Sequence, residues 1–437
     1  MYETALEIQR TLQAHGHQAY FVGGCVRDLL LQLPPKDFDI ATSATPPEIL
    51  DLFPGSCLVG AHFGVVIVAQ DVEVATFRSD HAYEDGRRPT RVEFETDPRQ
   101  DVLRRDFTIN ALLLDPITGE LRDYVNGRAD LDARLIRAIG DPAARFREDH
   151  LRLLRAVRFA ARLGFTIEPA TLAAMRELAP LSALVSPERT RDEISRILVS
   201  GSARTGFEIL DAAGILDHIL PEISALKGVE QPPEFHPEGD VWTHTMLMLE
   251  GLPAGSPLTL ALGVLLHDVG KPATFRLADR IRFDGHVEAG LEIAHRLLNR
   301  LRYPKDEIAQ VEALIANHMR FKDLPHMRES KVKRFLRMPE FEQHLELHRL
   351  DCMSSNRNLA NYRFAAAKLA ELPAESLKPA PFLTGGDLIG AGYRPGPGFS
   401  KMLSALEDAQ LELTVRSRQE ALDFLQKTFP VLQSDER

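Results

Sequence analysis

Val22-Gly23-Gly24-Cys25-Val26-Arg27-Asp28, followed by Asp37-Phe38-Asp39 thirteen residues after Gly24, is the stretch on which the fold turns. Ala19–Val22 reads as a short strand, the glycine pair as a turn, and the apolar run around Val26–Leu33 as a helix. A second strand then starts near Phe38 and runs to Ala41. Side chains alternate along a strand, so Asp37 and Asp39 are expected on one face, with Phe38 and Ile40 on the other. Two carboxylates held that close repel each other unless a cation lies between them. Divalent magnesium fits such oxygens, and two ions ~4 Å apart can stabilise both the attacking and the leaving oxygen of a displacement. The Gly23-Gly24 turn lets backbone N–H groups approach a phosphate, and Arg27 adds a cation beside Asp28. Each feature alone also reads as an ordinary turn or a solvated strand end; the order of the two is what carries weight.

Working outward, an opening amphipathic helix (about Tyr2–His15) precedes the stretch, and strand-like runs follow at Gly64–Ala69 and Val72–Phe77. Gln70 and Asp71 between them suggest a tight hairpin. Glu73, between Val72 and Val74, is a candidate third metal ligand if its strand lies beside the one with Asp39. Further on, Arg104-Arg105-Asp106-Phe107-Thr108-Ile109-Asn110 offers two guanidinium forks suited to phosphates. Asp106 and Asn110 are spaced to share a helix face and meet a sugar hydroxyl.

In order and spacing, Gly23–Asp28, Asp37–Asp39 and Arg104–Asn110 resemble the head motifs of class II tRNA nucleotidyltransferases and bacterial poly(A) polymerases. The similarity runs through roughly residues 15–200. It implies an α+β fold: a polymerase-β-like nucleotidyltransferase head, then an all-helical body. It also implies that Asp37 and Asp39, with Glu73, hold catalytic Mg2+. Gly23, Gly24, Arg27, Asp28, Arg105, Asp106 and Asn110 would then bind the nucleotide.

Glu148-Asp149-His150-Leu151-Arg152 opens a predicted helix over Asp149–Leu163, in which Leu151, Leu154 and Val157 mark a core stripe. Arg152, Arg155, Arg158 and Arg162 form a second, cationic stripe, suited to the nucleotide and, at Arg162, to RNA. Asp149 and Arg152, at i and i+3, would place an acceptor beside a donor. Cytosine and adenine both present an amino donor next to a ring-nitrogen acceptor, whereas guanine and uracil present the reverse. One Asp–Arg pair can therefore accept C and A, because a mismatched edge leaves buried polar groups unpaired at about 1–3 kcal/mol each. The nucleotide-selecting motif of the resembled family, Glu-Asp-x-x-Arg, stands at this place. Thr76–Pro89, polar and punctuated by glycine and proline, looks like that family's flexible loop, which argues against addition of C alone.

Later, Leu265-Leu266-His267-Asp268-Val269-Gly270-Lys271-Pro272 resembles the signature of HD-domain phosphohydrolases. His244, His286, His318 and Asp351 fall in the order of its outlying ligands. The resemblance implies a second divalent transition metal held by these six residues, and a phosphatase or cyclic phosphodiesterase activity. The bland reading is a helical scaffold that only braces RNA.

The 437 residues carry a net charge of −11, which excludes a uniformly basic nucleic-acid binder but not a local cationic surface. Three scattered cysteines give no disulfide framework, no apolar run approaches ~20 residues, and Met1-Tyr2-Glu3-Thr4 lacks a secretion pattern, so a cytoplasmic protein without a membrane partner is expected. The expected division is a head over 1–125, a helical neck over 126–205, an HD-type domain over 206–372 and a tail over 373–437. Gln231–Gly239, rich in proline, reads as a linker or an ordered loop. The expected activity is addition of CCA to tRNA from CTP and ATP. An A-adding enzyme or a poly(A) polymerase shares the core, and a metal phosphohydrolase with an RNA-binding head is the rival of another class. The oligomeric state is not legible.

Overall fold

The computed structural model describes residues 1–59, 64–70, 72–83, 86 and 89–430. The chain divides into two compact units: residues 1–227 with 252–261 and 295–304, and residues 228–251 with 262–294 and 305–437.

The first unit opens with α1 (Tyr2–Ala14), whose Ala5, Ile8, Gln9 and Leu12 are buried at helical spacing. It then builds a mixed sheet from β1 (Ala19–Val22), β2 (Phe38–Thr42), β3 (Cys57–Val59), β4 (Val65–Ala69), β5 (Val72–Thr76), β8 (Leu113–Leu114) and β9 (Leu121–Arg122), in the order β3-β4-β5-β2-β1-β8-β9. All four residues of β1 are buried, as a central strand covered on both faces requires. The β1–β2 pair is antiparallel with Val22 opposite Asp39, and β2–β5 is parallel with Asp39 opposite Glu73. This register fixes the chemistry: the turn at the end of β1 and the carboxylate of β5 both arrive beside Asp39. Tyr20, Val22, Ala41, Phe77, Val102 and Leu113 form a core cluster below.

Helix α2 (Gly24–Leu30) starts directly after Gly23, and α3 (Pro46–Leu52) has a Thr45/Glu48 capping box. Asp37 lies in the bend before β2 rather than on the strand, because the extended backbone begins at Phe38. The expected loop over Thr76–Pro89 is largely a separate antiparallel hairpin of β6 (Arg78–Tyr83) and β7 (Pro89–Phe94), with Asp80 opposite Val92. Glu84, Asp85, Arg87 and Arg88 of that loop, and Asp71 of the β4–β5 turn, lie outside the described residues.

Next come α4 (Pro98–Leu103), α5 (Gly127–Asp132), α6 (Pro142–Glu148), α7 (Leu151–Leu163), α8 (Pro169–Leu178), α9 (Pro187–Leu198) and α10 (Ala203–Ala212). The expected helix over Asp149–Leu163 therefore begins two residues late. Asp149 has extended dihedrals (φ −142°, ψ 105°) and ends α6. It sits in the corner between two helices, not on a helical face. The body also holds short strand pairs among its helices, Leu135–Ile136 with Thr166–Ile167 and Arg276–Leu277 with Ile281–Arg282.

The second unit is built of helices, among them Val241–Glu250, Lys305–Asn317, Glu329–Leu336, Phe341–Ser354 and Ala360–Glu371. Phe321, Phe335, Phe341 and Leu336 make one core cluster. Leu383, Leu388, Tyr393, Leu406 and Leu425 make another in the tail, which is tied on by Lys333 Nζ to the Leu411 carbonyl (2.7 Å) and Arg334 to Glu407.

Candidate active site and histidine cluster

The strand register brings the head residues around one cavity of about 990 Å³. Its lining includes ten arginines and Lys36 against six aspartates, so the acidic chain opens a locally cationic site. Gly23, Gly24, Arg27, Asp28, Asp37, Asp39, Arg105, Asp106, Asn110, Asp149, Arg152, Arg155, Arg158 and Arg162 all line it. Glu73 is absent from the lining; it stands exposed on β5, across from Asp39.

Gly23 has φ +78°, a conformation that favours glycine, and a side chain there would start 3.3 Å from Asp39 Oδ2 and 3.7 Å from Arg105 Nη1. Burial pushes the Asp39 carboxyl up to about 6; nearby Arg105 opposes this, and Asp37 and Glu73 reinforce it. Asp37 and Glu73 thus add negative charge beside a buried carboxylate, and Asp37 and Asp39, which both line the cavity, offer oxygens of the kind a divalent cation takes.

Around this point, Arg27 is buried and fully engaged, with Nε and Nη2 on Asp28 Oδ1 (2.8 and 2.6 Å) and Nη1 on Asn110 Oδ1 (2.7 Å). Asp28 Oδ2 accepts from Arg162 (3.1 Å). Asn110 donates to Asp106 (3.2 Å), as the spacing suggested, although the segment Thr108–Asn110 is a single 3-10 turn. Asp106 is held at about 2: burial alone would raise it, but Arg155 and Arg152 override that. The arginine stripe of α7 therefore faces the cavity with a carboxylate on most members: Arg155 on Asp106 (2.6 Å), Arg158 on Glu193 (2.5 Å) and Arg162 on Asp28. Arg27, Arg155 and Arg158 also stack near the Phe159 ring, at 5.2, 5.2 and 4.2 Å.

Asp149 and Arg152 line the same cavity without bonding to each other through their side chains. Arg152 is fixed by Glu148 (2.6 Å) and by the carbonyls of Arg145 (3.1 Å) and Arg104 (2.9 Å). Asp149 takes a two-pronged bond from Arg189 of α9, at 3.0 and 2.9 Å. Acceptor and donor are thus each locked by a different partner, and the expected helical ion pair is not made. Gly86 (φ +63°) brings the hairpin end against this corner: its carbonyl accepts from the His150 N–H (3.0 Å), and a side chain there would strike the His150 ring at 2.2 Å. Sequence reading missed Arg189 and also Asp101, which grips Arg104 and Arg105. The i+3 and i+4 spacing of that grip was available; the 40-residue reach of Arg189 was not.

In the second unit, the six expected residues also converge. Asp268 Oδ2 lies 3.0 Å from His267 Nε2, and Oδ1 lies 3.9 Å from both His286 Nε2 and His318 Nε2. His244 Nε2 is 3.3 Å from Asp351 Oδ1. Each ring has its Nδ1 committed elsewhere: His267 to the Val264 carbonyl, His286 to Phe283, His318 to Ile315 and His244 to the Glu238 carboxylate. Nδ1–H on a carbonyl leaves the Nε2 lone pair facing inward, the usual arrangement of metal-binding histidines. Nε2 of His244 and of His267 is buried and makes no hydrogen bond. Among the described residues, three sets lie close enough to hold a cation: His244, His267 and Asp268; Asp268, His286 and His318; and His236, Glu238 and His244. Asp268 is held well below the usual range: burial opposes this, but His267 and Lys271 prevail. Burial opposes charge on His244, yet Asp351 and Glu238 carry it up to about 9, so a metal at this ring would displace a proton from Nε2. The proline-rich segment is an ordered loop that supplies Glu238, shared by His236 and His244, and Gln231, bonded to Lys271 (2.6 Å). Sequence reading missed both residues.

Three family descriptions match the chain in series: a poly A polymerase head domain over residues 19–137, a probable RNA and SrmB-binding site of polymerase A over 164–227, and an HD domain over 240–352. The chain thus carries, in series, matches to a poly A polymerase head, a polymerase A RNA-binding segment and an HD domain. Among curated relatives it is 44% identical over 218 residues to a CCA-adding enzyme of Bacillus pumilus, covering 49% of this chain and 54% of that one. It is 44% identical over 225 residues to one of Streptococcus gordonii, covering 51% and 56%. The chain thus spans about half the length of the curated relatives it matches. A solved CCA-adding enzyme of Bacillus stearothermophilus in complex with CTP aligns over 98% of this chain and 97% of its own, with 26% identity and a TM-score of 0.75. A Thermotoga maritima CCA-adding enzyme complexed with tRNA shares the fold at 19% identity and a TM-score of 0.60, covering 97% of this chain and 94% of its own. Among the described residues no helix is long and apolar enough to cross a membrane.

Proposed function

We propose that this chain adds C, C and A in turn to the 3′ end of tRNA, using CTP and ATP, in the cytoplasm. The observation that carries the reading is the meeting of Asp37, Asp39 and the Gly23-Gly24 turn with Asp149 and Arg152 around one cavity. Similarity to CCA-adding enzymes supports it.

Asp37 and Asp39, with Glu73 beside them, would hold Mg2+, which supplies Lewis acidity for the attacking hydroxyl and charge neutralisation for the departing pyrophosphate. Gly23 lets the triphosphate approach the backbone, and Arg105 offers it a guanidinium. Asp106 and Asn110, already bonded to each other, would receive the ribose. Asp149 accepts from the amino group of C or A, and Arg152 donates to the neighbouring ring nitrogen. Neither can turn toward a guanine or uracil edge, because Arg189 and Glu148 hold them. Arg162, at the end of the stripe, faces the incoming RNA. The histidine cluster would hold a divalent transition metal and serve as a phosphohydrolase centre.

Separating the two centres tests this. Asp37→Ala should abolish nucleotide incorporation and spare any hydrolysis of 2′,3′-cyclic phosphate, and Asp268→Ala should do the opposite. Incorporation that survives Asp37→Ala would remove the head assignment.

A further inference from the structure

We propose that Asp101 is a positioning residue for the nucleotide: it holds Arg104 and Arg105 so that one free Nη1 group of Arg105 faces the triphosphate. The inference rests on the nucleotidyl-transfer reading of the head. Helix α4 is started by Asp97, which accepts from the Arg99 N–H (2.9 Å), and by Pro98 in the first turn. That start places Asp101 one turn before Arg104 and Arg105, at i+3 and i+4, and only 1% of its surface is exposed.

Its two oxygens are divided between two guanidiniums. Oδ1 accepts Nε and Nη2 of Arg104 (2.9 and 2.5 Å), and Oδ2 accepts Nε and Nη2 of Arg105 (3.1 and 2.7 Å). Each fork is filled on one edge, so each arginine keeps its Nη1. Arg104 Nη1 points to Asp80 of β6, 3.9 Å away. Arg105 Nη1 is the nitrogen that would stand 3.7 Å from a side chain begun at Gly23, a point that lies 3.3 Å from Asp39 Oδ2. One carboxylate between two guanidiniums leaves a surplus positive charge, aimed at the turn that admits phosphate. A buried ion pair of this kind adds little stability over an apolar substitute, so its value lies in geometry. Asp101 touches no substrate position itself; it acts through Arg105.

The test measures CTP affinity by calorimetry with Mg2+ and without tRNA, and KM for CTP and for tRNA in incorporation assays. Asp101→Asn should weaken CTP binding and raise its KM about tenfold, leaving KM for tRNA unchanged, a split that a general loosening of the head would not give. Asp101→Glu keeps the charge but advances the carboxylate by one methylene, and should raise KM for CTP several-fold at an unchanged melting temperature. It serves equally if the Asn variant does not fold. In an Arg105→Ala background, Asp101→Asn should change CTP affinity less than twofold. Equal CTP affinity in wild type, Asp101→Asn and Asp101→Glu, or multiplicative effects with Arg105→Ala, would overturn the inference. Asp101-dependent CTP binding without incorporation by the wild type would instead overturn the transfer reading and leave this one standing.

Discussion

In the head, Asp39 stands against Asp37 and Glu73 with Arg105 as a cationic neighbour, and burial pushes its carboxyl up to about 6. In the second unit, Asp268 stands among His267, His286, His318 and Lys271, and is held well below the usual range. Both regions gather carboxylates where a cation would sit, but they balance them differently. The head is rich in arginines, yet these are engaged on other acids: Arg27 on Asp28, Arg155 on Asp106, Arg158 on Glu193. Its acid centre is left short of positive charge. The histidine cluster carries its own balancing groups, with the Nδ1 atoms of His267, His286 and His318 tied to backbone carbonyls and that of His244 to Glu238. The difference between them is that of an acid centre with little opposing charge and one with its counter-charges built in.

That contrast can be broken most sharply at Asp39. Asp39→Asn keeps the shape and removes the charge, and incorporation should fall at least about 10³-fold, since several kcal/mol of charge stabilisation is at stake. An effect below tenfold would show that the carboxylate holds no catalytic cation. Glu238→Gln sharpens the other side. It weakens the acceptor that orients His244, and metal retained after dialysis should drop in affinity by about 10–100-fold, with CTP incorporation unchanged. Unaltered metal content would mean that His244 needs no such support. A smaller effect is expected for Arg189→Ala, which frees Asp149 to rotate. Discrimination of CTP against UTP should fall by about 5–100-fold, as expected for about 1–3 kcal/mol of polar mismatch, and more in KM for the wrong nucleotide than in kcat for the right one.

The least effect is one of stability. Burial would raise the Asp101 carboxyl, but Arg105 and Arg104 bring it down to about 2. A carboxylate whose folded pKa lies below its unfolded value (about 3.9) stabilises the fold above pH ~4, and that contribution disappears as pH falls through about 2. Asp101→Asn should therefore cost about 2 kcal/mol in denaturant titrations at pH 7, and the gap to wild type should close between pH 4 and 2. A gap independent of pH would point to packing instead.

The parts governed by local backbone rules were legible in the sequence. β1, α8 and α9 fall where turn residues and periodicity placed them, and the Gly23 turn meets Asp39 because a short strand, one helix and a return strand leave the chain little alternative. The six histidine-cluster residues were legible because the His267-Asp268 pair and its outlying ligands keep a recognisable order. What escaped was set by tertiary contact. Asp149 reads as part of a helix, yet α6 ends on it and α9 reaches in to hold it. Glu238 hides in a proline-rich segment whose composition says loop and nothing about the carboxylate it carries. The span around Asp80 reads as a polar loop because its charged residues mask the alternation that β6 and β7 adopt.

The most direct test offers purified protein a tRNA lacking its terminal CCA, with each nucleotide alone and then with CTP and ATP together. CTP alone should yield two added C residues, one further A should follow once ATP is present, and neither G nor U should be added. Long A tracts, or no C addition by a protein that binds CTP, would contradict CCA addition.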